Sequence, residues 1–428
     1  MKKLKDILYK VSIDAVRGST SLDISDIVFD SRKITPNCVF IAQKGTISNG
    51  HDYIEKAIEN GATAIVYEDD PAVFSDHVTY VKVADANKAL AFIAANFYDN
   101  PSEKLSLVGV TGTNGKTTIA TLLHQLFTKA GYKVGLLSTV KILIGNDAFP
   151  ATHTTPDSIA INNYLNQMVQ AGCSYCFMEV SSHGIAQKRT DALVFKGGIF
   201  TNLSHDHLDY HKTFAEYRNV KKSFFDSLPK TAFAISNADD KNGAFMLQNC
   251  DAKKTMYSIQ NVADVNGKII ESQFNGMLLN INNQEVWVQL IGKFNASNLL
   301  AIYATALELG LSKEEVLVHL STLQSVSGRF QFIVSKTKIT AIVDYAHTPD
   351  ALENVLKTIA EIRTFNEQLF TVVGCGGNRD KEKRPVMARI ATENSDTVIL
   401  TSDNPRNEDP FEILKEMEAG VEAQNTNK

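Results

Sequence analysis

Residues 105–118, LSLVGVTGTNGKTT, constrain the fold of this chain more than any other stretch. An apolar, β-branched run ends in Gly112-Thr113-Asn114-Gly115-Lys116-Thr117-Thr118, and a helical pattern, IATLLHQLFTKAG, follows at once. Strand, glycine loop and helix together make a phosphate cradle. Glycines admit anionic oxygens to backbone N–H groups, and the helix N-terminus favours negative charge. A lysine reaches the outer phosphates and a hydroxyl can hold Mg²⁺. Val110 stands where the first glycine of GxxxxGK[ST] belongs, so the match is imperfect. The bland alternative is a strand–turn–helix with a surface lysine. A Gly-Lys-Thr-Thr directly after a buried-type strand favours a nucleoside-triphosphate enzyme.

The chain has 428 residues, 44% of them hydrophobic, enough for two to four packed domains. A net charge of -5 with scattered basic residues argues against a general nucleic-acid binder. Five cysteines form no even framework, which points to a reducing cytoplasm. Cys173-Ser-Tyr-Cys176 lacks a second pair for zinc, and packing is the better reading. The N-terminus has no signal-peptide pattern, and no segment approaches the ~20 apolar residues of a membrane span.

Read in order, residues 1–98 form a small α/β domain, in which Asp30-Ser31-Arg32 follows a strand and can meet a ligand or simply turn the chain. Residues 99–332 alternate strands and helices in the βαβ rhythm of a largely parallel sheet. Two alternating runs, GMLLNIN and EVWVQLIG, read as a β-hairpin appended to it. Residues 333–428 form a third α/β unit with three clear strands.

Candidate chemistry lies near predicted strand ends, where open α/β sheets bind ligands. Thr154-Thr155-Pro156-Asp157 is a polar loop. Glu179 ends an apolar strand and suits Mg²⁺, with a strand-end surface acid as the alternative. The cluster 201–211, TNLSHDHLDYH, has three histidines and two aspartates in its last seven residues and could suggest zinc, but an oxygen-ligated metal on phosphate with one histidine ligand accounts for it as well. Tyr217 and Lys221 share a helix face. Lys221 and Lys222 are adjacent and point apart, so one can face solvent and the other the site.

The ordered motifs GTNGKTT, HTTPDS, EVSSHGIAQKR, TNLSHDHLDYH, EYRNVKKSFF, GKFNASN, SGRF, DYAHTPD, GCGGNRDKEKRP and SDNPRNEDP resemble the Mur ligases, closest to members that add the third amino acid of the peptidoglycan stem. The resemblance runs from about Asp30 to Pro410. It implies a three-domain architecture: a UDP-substrate domain, a central P-loop ATPase-like domain and a C-terminal Rossmann-like domain. It implies ATP and Mg²⁺ as cofactors, small-molecule substrates, a monomer, and no membrane or nucleic-acid partner.

Residue by residue, the resemblance implies that Ser31 meets the uridine diphosphate end. Thr154, Thr155, Ser181, Gln187 and Arg189 hold the muramoyl-dipeptide and its phosphates. Lys116 and Thr117 are the phosphate lysine and the Mg²⁺ hydroxyl, within a loop formed by Gly112, Thr113, Asn114, Gly115 and Thr118. Glu179 and His207 are magnesium ligands, and Lys221 is a lysine carried as a carbamate. Asn295, Asn298, Arg329, Asp344 and His347 surround the nucleotide. Asp403-Asn404-Pro405-Arg406 resembles the DNPR signature of members that accept meso-diaminopimelate, whose distal carboxylate an arginine grips bidentately. Either Arg379 or Arg384 assists, and spacing does not separate them. Gln331 departs from the acid common at its position. The family usually continues for some tens of residues with a Gly-Lys-Gly-His-Glu-like segment, so the C-terminal domain reads as incomplete.

The activity implied is ATP-dependent addition of meso-diaminopimelate to UDP-MurNAc-L-Ala-D-Glu through an acyl phosphate. The alternatives are an L-lysine-adding ligase, a folylpolyglutamate-type sister ligase, and a shortened homologue that binds nucleotide and UDP substrate without turnover.

Overall fold

The computed structural model describes residues 1–426 except 46, 47, 205, 207, 338 and 365, and at 208 and 209 the backbone alone. The chain divides into two compact units, Met1–Gly109 with Tyr132–Gly197, and Val110–Gly131 with Gly198–Lys428. The division passes through the strand that leads to the phosphate loop, Ser106–Thr111.

The first unit opens with a five-stranded sheet. Asp26–Val28, Cys38–Ile41, Ala62–Tyr67 and Thr79–Lys82 run parallel, and Ala15–Arg17 is an antiparallel edge. All four side chains of Cys38–Ile41 are buried, as expected of a strand covered on both faces. Helix Ala86–Phe97 begins where the Asp85 carboxylate accepts the Lys88 N–H, and it packs Leu90, Ile93 and Ala94 onto one sheet face. The same unit holds Val134–Leu137 parallel to Tyr175–Glu179, and helix Ser158–Gln170, N-capped by Asp157.

A largely parallel sheet was expected, and antiparallel strands join its edge. Lys141–Ile144 and Asp147–Pro150 form an antiparallel hairpin beside Val134–Leu137. The cause is local: Gly145 takes φ +58, the left-handed conformation a tight two-residue turn needs.

In the second unit, helix Lys116–Lys129 follows the phosphate loop. Phe233–Asn237 pairs in parallel with Lys253–Ser258, which pairs in parallel with Val265 and Asn266. The expected hairpin is present as Gly276–Ile281 and Gln284–Val288, turned by Asn282 and Asn283 at φ +45 and +67. Val265–Gln273 adds a third antiparallel strand, so the appendage is a meander. Helix Lys293–Glu308 is buried on most of its surface, which explains its run of alanine and leucine.

Beyond residue 328 the described strands number four, because Gln331–Val334 pairs with Thr340–Val343. Phe370–Cys375 and Thr397–Ser402 are parallel and joined through helix Lys383–Asn394, a βαβ unit. Met387, Ala388, Ala391, Ile413 and Met417 form its core.

Candidate active site

The phosphate loop is shaped from outside as well as by its glycines. Gly112 has φ +148, and a Cβ there would lie 1.9 Å from the Thr201 Oγ1. Gly115 has φ +89, and its Cβ would meet the Asn298 Oδ1 at 2.7 Å. Thr201 Oγ1 donates to the Asn114 carbonyl at 2.6 Å, and the Asn202 amide brackets the same residue, accepting from its N–H at 2.9 Å and donating to its carbonyl at 3.2 Å. The Thr113 hydroxyl meets the Tyr217 hydroxyl at 3.1 Å and accepts the Ser204 N–H at 3.0 Å. Thr201, Asn202 and Tyr217 therefore position the loop, a role that their place in the cluster 201–211 did not by itself give the first two. The fixed hydroxyls and amides explain how a loop with Val110 in place of its first glycine keeps its shape.

Lys116 Nζ donates to the Gly112 and Thr113 carbonyls at 2.9 and 2.6 Å. The Thr117 hydroxyl, in the first helical turn with Thr118, accepts from Arg329 Nη2 at 3.1 Å. The Arg329 guanidinium lies 4.5 Å from the Tyr345 ring centre. A cavity of about 560 Å³ opens beside the loop, lined by Asn114, Gly115, Asn295, Asn298, Arg329, Asp344 and His347 among others. The structure thus brings the expected nucleotide set together. Asn295 Nδ2 is tied to the Ile291 carbonyl at 2.8 Å. Asp344 accepts the Phe330 N–H at 2.6 Å, and its burial pushes its carboxyl above the ordinary value.

Lys221 is 1% exposed. Its Nζ lies 2.9 Å from the Gly112 carbonyl, 3.4 Å from the Thr111 hydroxyl and 4.9 Å from the Tyr217 ring centre. Burial, aided by the positive charge of Lys116, pushes its ammonium well below the ordinary lysine range, which favours the neutral amine. Lys222 departs from the expected solvent-facing partner. It is also buried and pairs with Asp226 at 2.6 Å.

Glu179 and the residues expected to hold the UDP substrate lie in the first unit. Glu179 is 1% exposed at the end of Tyr175–Glu179, and its two oxygens accept the Thr139 N–H at 2.7 Å and hydroxyl at 3.1 Å. The hydroxyl of Thr139, which the sequence reading missed, also lies 3.1 Å from the Thr154 hydroxyl. The Thr155 hydroxyl bridges the Glu179 carbonyl and the Ser181 N–H at 2.8 and 2.9 Å. Ser181 caps the short helix after it by accepting the Gly184 N–H. Arg189 is held by Gln187 Oε1 and the Thr155 carbonyl. Ser31 opens a one-turn helix in which Arg32 grips Asp30 through two contacts of 2.8 Å. His207 lies outside the described residues, and among the described residues no group of three or more His, Cys, Asp or Glu could hold a metal. The donors described, the Thr117 hydroxyl and the Glu179 carboxylate, are hard oxygens of the kind Mg²⁺ takes.

Arg379, Asp403 and Arg406 line a second cavity of about 1020 Å³ together with Asp350 and Lys383. The Asn404 carbonyl accepts the Gly377 N–H at 2.9 Å, and Pro405 sits so close to Gly377 that a Cβ there would lie 1.9 Å from the Pro405 carbonyl oxygen. Of the two arginines the sequence left open, only Arg379 lines this cavity. Arg384 is fully buried, with its guanidinium bound to Glu408 and Glu416.

Two outcomes follow from this geometry. Gly112→Ala sets a Cβ against Thr201, and nucleotide affinity measured by calorimetry should fall at least tenfold, about 1.4 kcal/mol. Arg384, with help from the Asn378 N–H and Lys381, holds the Glu408 carboxyl at about 2, below the ordinary 4.5. That depression contributes stability present in full above about pH 4.5 and lost as pH falls towards 2. The gap in urea midpoint between the native chain and Glu408→Gln should therefore be wide at pH 6 and narrow at pH 2.5.

Three family models match the chain: the Mur ligase family catalytic domain over residues 23–98, the Mur ligase middle domain over 110–306, and the Mur ligase glutamate ligase domain over 328–427. UDP-N-acetylmuramoyl-L-alanyl-D-glutamate--2,6-diaminopimelate ligase of Cytophaga hutchinsonii is 56% identical, covering 98% of this chain and 86% of its own. The protein of that name in Phocaeicola vulgatus is 55% identical, covering 100% of this chain and 88% of its own. A solved structure of a ligase of the same name superposes with a TM-score of 0.74 at 31% identity, covering 98% of this chain and 86% of that one. A MurF ligase from Thermotoga maritima, solved in complex with ADP, shares the fold at TM-score 0.62 and 19% identity, over 91% and 86% of the two chains. The chain belongs to the Mur ligase family.

Proposed function

We propose that this chain is the ligase that joins meso-diaminopimelate to UDP-MurNAc-L-Ala-D-Glu at the cost of ATP. The observation that carries this reading is the 56% identity, over nearly the whole chain, to a ligase whose name states that reaction. The D-glutamate carboxylate is a poor electrophile, and the γ-phosphoryl group of ATP converts it to an acyl phosphate. The attacking amine then forms a tetrahedral intermediate, and phosphate leaves.

The chain's residues divide this work. The loop N–H groups and Lys116 orient the triphosphate and neutralise charge on the transferring group. Asn295, Asn298, Arg329, Asp344 and His347 line the nucleoside side. Ser31, Thr154, Thr155, Ser181, Gln187 and Arg189 take the UDP substrate. Arg379 and Arg406 grip the distal carboxylate of the diamino acid, and Asp403 and Asn404 meet its ammonium end. Thr117, Glu179, His207 and carbamylated Lys221 would hold Mg²⁺, which supplies Lewis-acid charge neutralisation. The burial of Lys221, which lowers its ammonium well below the ordinary lysine range, supports the carbamate: only the unprotonated amine adds to carbon dioxide, and the product is an anionic oxygen ligand. Three domains, 1–98, 99–332 and 333–428, would carry the UDP substrate, ATP and amino acid respectively.

Lys221→Ala should cut turnover roughly a hundredfold, the scale of losing a metal-site group, while the thermal midpoint moves little. Near-normal turnover would remove the carbamate from the reading. The function itself is tested by phosphate release from the purified chain with ATP, Mg²⁺ and UDP-MurNAc-L-Ala-D-Glu. Release with meso-diaminopimelate but not with L-lysine or without amine is the expected result. Release with lysine alone would reverse the amine assignment, and silence with every amine would overturn the ligase reading.

A further inference from the structure

Arg384 and Glu408 sit behind the cavity that holds Arg379, Asp403 and Arg406, and neither lines it. Arg384 is 0% exposed on helix Lys383–Asn394. Its Nη1 and Nη2 grip the two oxygens of Glu408 at 3.0 and 3.1 Å, a bidentate fork, while Nη2 also donates to the Gly376 carbonyl at 3.2 Å and Nη1 to Glu416. The Glu408 carboxylate accepts in addition the Asn378 N–H and, at 3.3 Å, the Lys381 ammonium. One ion pair therefore joins three segments: the helix, the loop 376–380 and the loop 403–408.

The two loops are also laced directly. Gly377 N–H donates to the Asn404 carbonyl at 2.9 Å, Asn407 N–H to Asn378 Oδ1 at 3.2 Å, and Arg406 Nη1 to the Gly377 carbonyl. Both loops carry a non-glycine residue in the left-handed region, Asn378 at φ +51 and Arg406 at φ +49. Such conformations persist where surrounding contacts determine them. An ion pair with one partner buried adds little net stability over well-packed apolar side chains, but its forked hydrogen bonds fix direction.

We propose that the pair of buried Arg384 with partly exposed Glu408 is the positioning device of the amine pocket, setting the distance between Arg379 on one loop and Arg406 on the other. It acts through those residues and touches no substrate. The inference rests on the amine pocket proposed above. It turns Arg384 from a substrate contact into a brace.

The test compares full chains carrying Glu408→Gln, Arg384→Lys and, as a purely structural control, Met387→Ala, whose side chain is fully buried in the core of the same helix. KM is measured separately for meso-diaminopimelate and ATP, and hydrogen exchange at the Gly377, Asn378 and Asn407 amides. The brace predicts that Glu408→Gln and Arg384→Lys raise the KM for meso-diaminopimelate roughly tenfold or more, the scale of a small misplacement of a binding group, with the KM for ATP unchanged. It also predicts faster exchange at the three amides. Met387→Ala should lower the thermal midpoint without either effect. An unchanged diaminopimelate KM, or equal rises in both KM values, would overturn the proposal. If the native chain releases no phosphate with any amine, the functional reading fails by itself. Exchange then decides the brace: faster exchange in Glu408→Gln upholds it, and unchanged exchange removes it.

Discussion

The carbonyl of Gly112 receives two amines, Lys116 at 2.9 Å and Lys221 at 2.9 Å. Burial, and after it the positive charge of Lys116 beside the same oxygen, lowers the Lys221 ammonium well below the ordinary lysine range. Everything near the phosphate loop is arranged around that point. Gly112 can offer its carbonyl in this direction because it has no Cβ to strike Thr201. Thr201 and Asn202 fix the next peptide, and Tyr217 both ties Thr113 and walls Lys221. The helix that begins at Lys116 presents its N-terminal dipole to the same space, so anion binding and cation placement share one loop.

Charge is handled differently at the two cavities of the second unit. Beside the phosphate loop, buried groups are shifted towards their neutral forms, as with Lys221 and Asp344. In the cluster of Arg384 and Glu408, the burial of Arg384 is met by pairing, and partly exposed Glu408 is held more firmly ionised than a free carboxylate. The first arrangement leaves polar groups ready to change partners when charged ligands arrive. The second holds loop geometry constant.

Much of the fold was legible because hydrophobic periodicity and glycine placement are local properties. The phosphate strand and its helix, the helices beginning after Asp157 and Thr213, and the Asn282-Asn283 hairpin all follow from short stretches of residues. The hairpin at the sheet edge was not read because KILI and DAFP are four-residue runs, too short to tell a strand from a loop until they pair. That Lys222 is buried beside Lys221 was not legible, because its pairing with Asp226 and the width of the buried helix face depend on what packs there.

The sequence by itself determined which chemistry is possible: a glycine loop with Lys116 and Thr117, a strand-end Glu179, and a pair of arginine-bearing loops. These are fixed by residue type and by spacing within one turn or one strand. Tertiary structure decided which of several equivalent side chains takes each role. It set Lys221 against Gly112, brought Thr139 to Glu179 across 40 residues, and separated Arg379 from Arg384. The physical reason is that burial and partnership are properties of contacts distant in sequence. The same guanidinium binds a ligand where a cavity opens beside it, and braces a loop where two carboxylates enclose it.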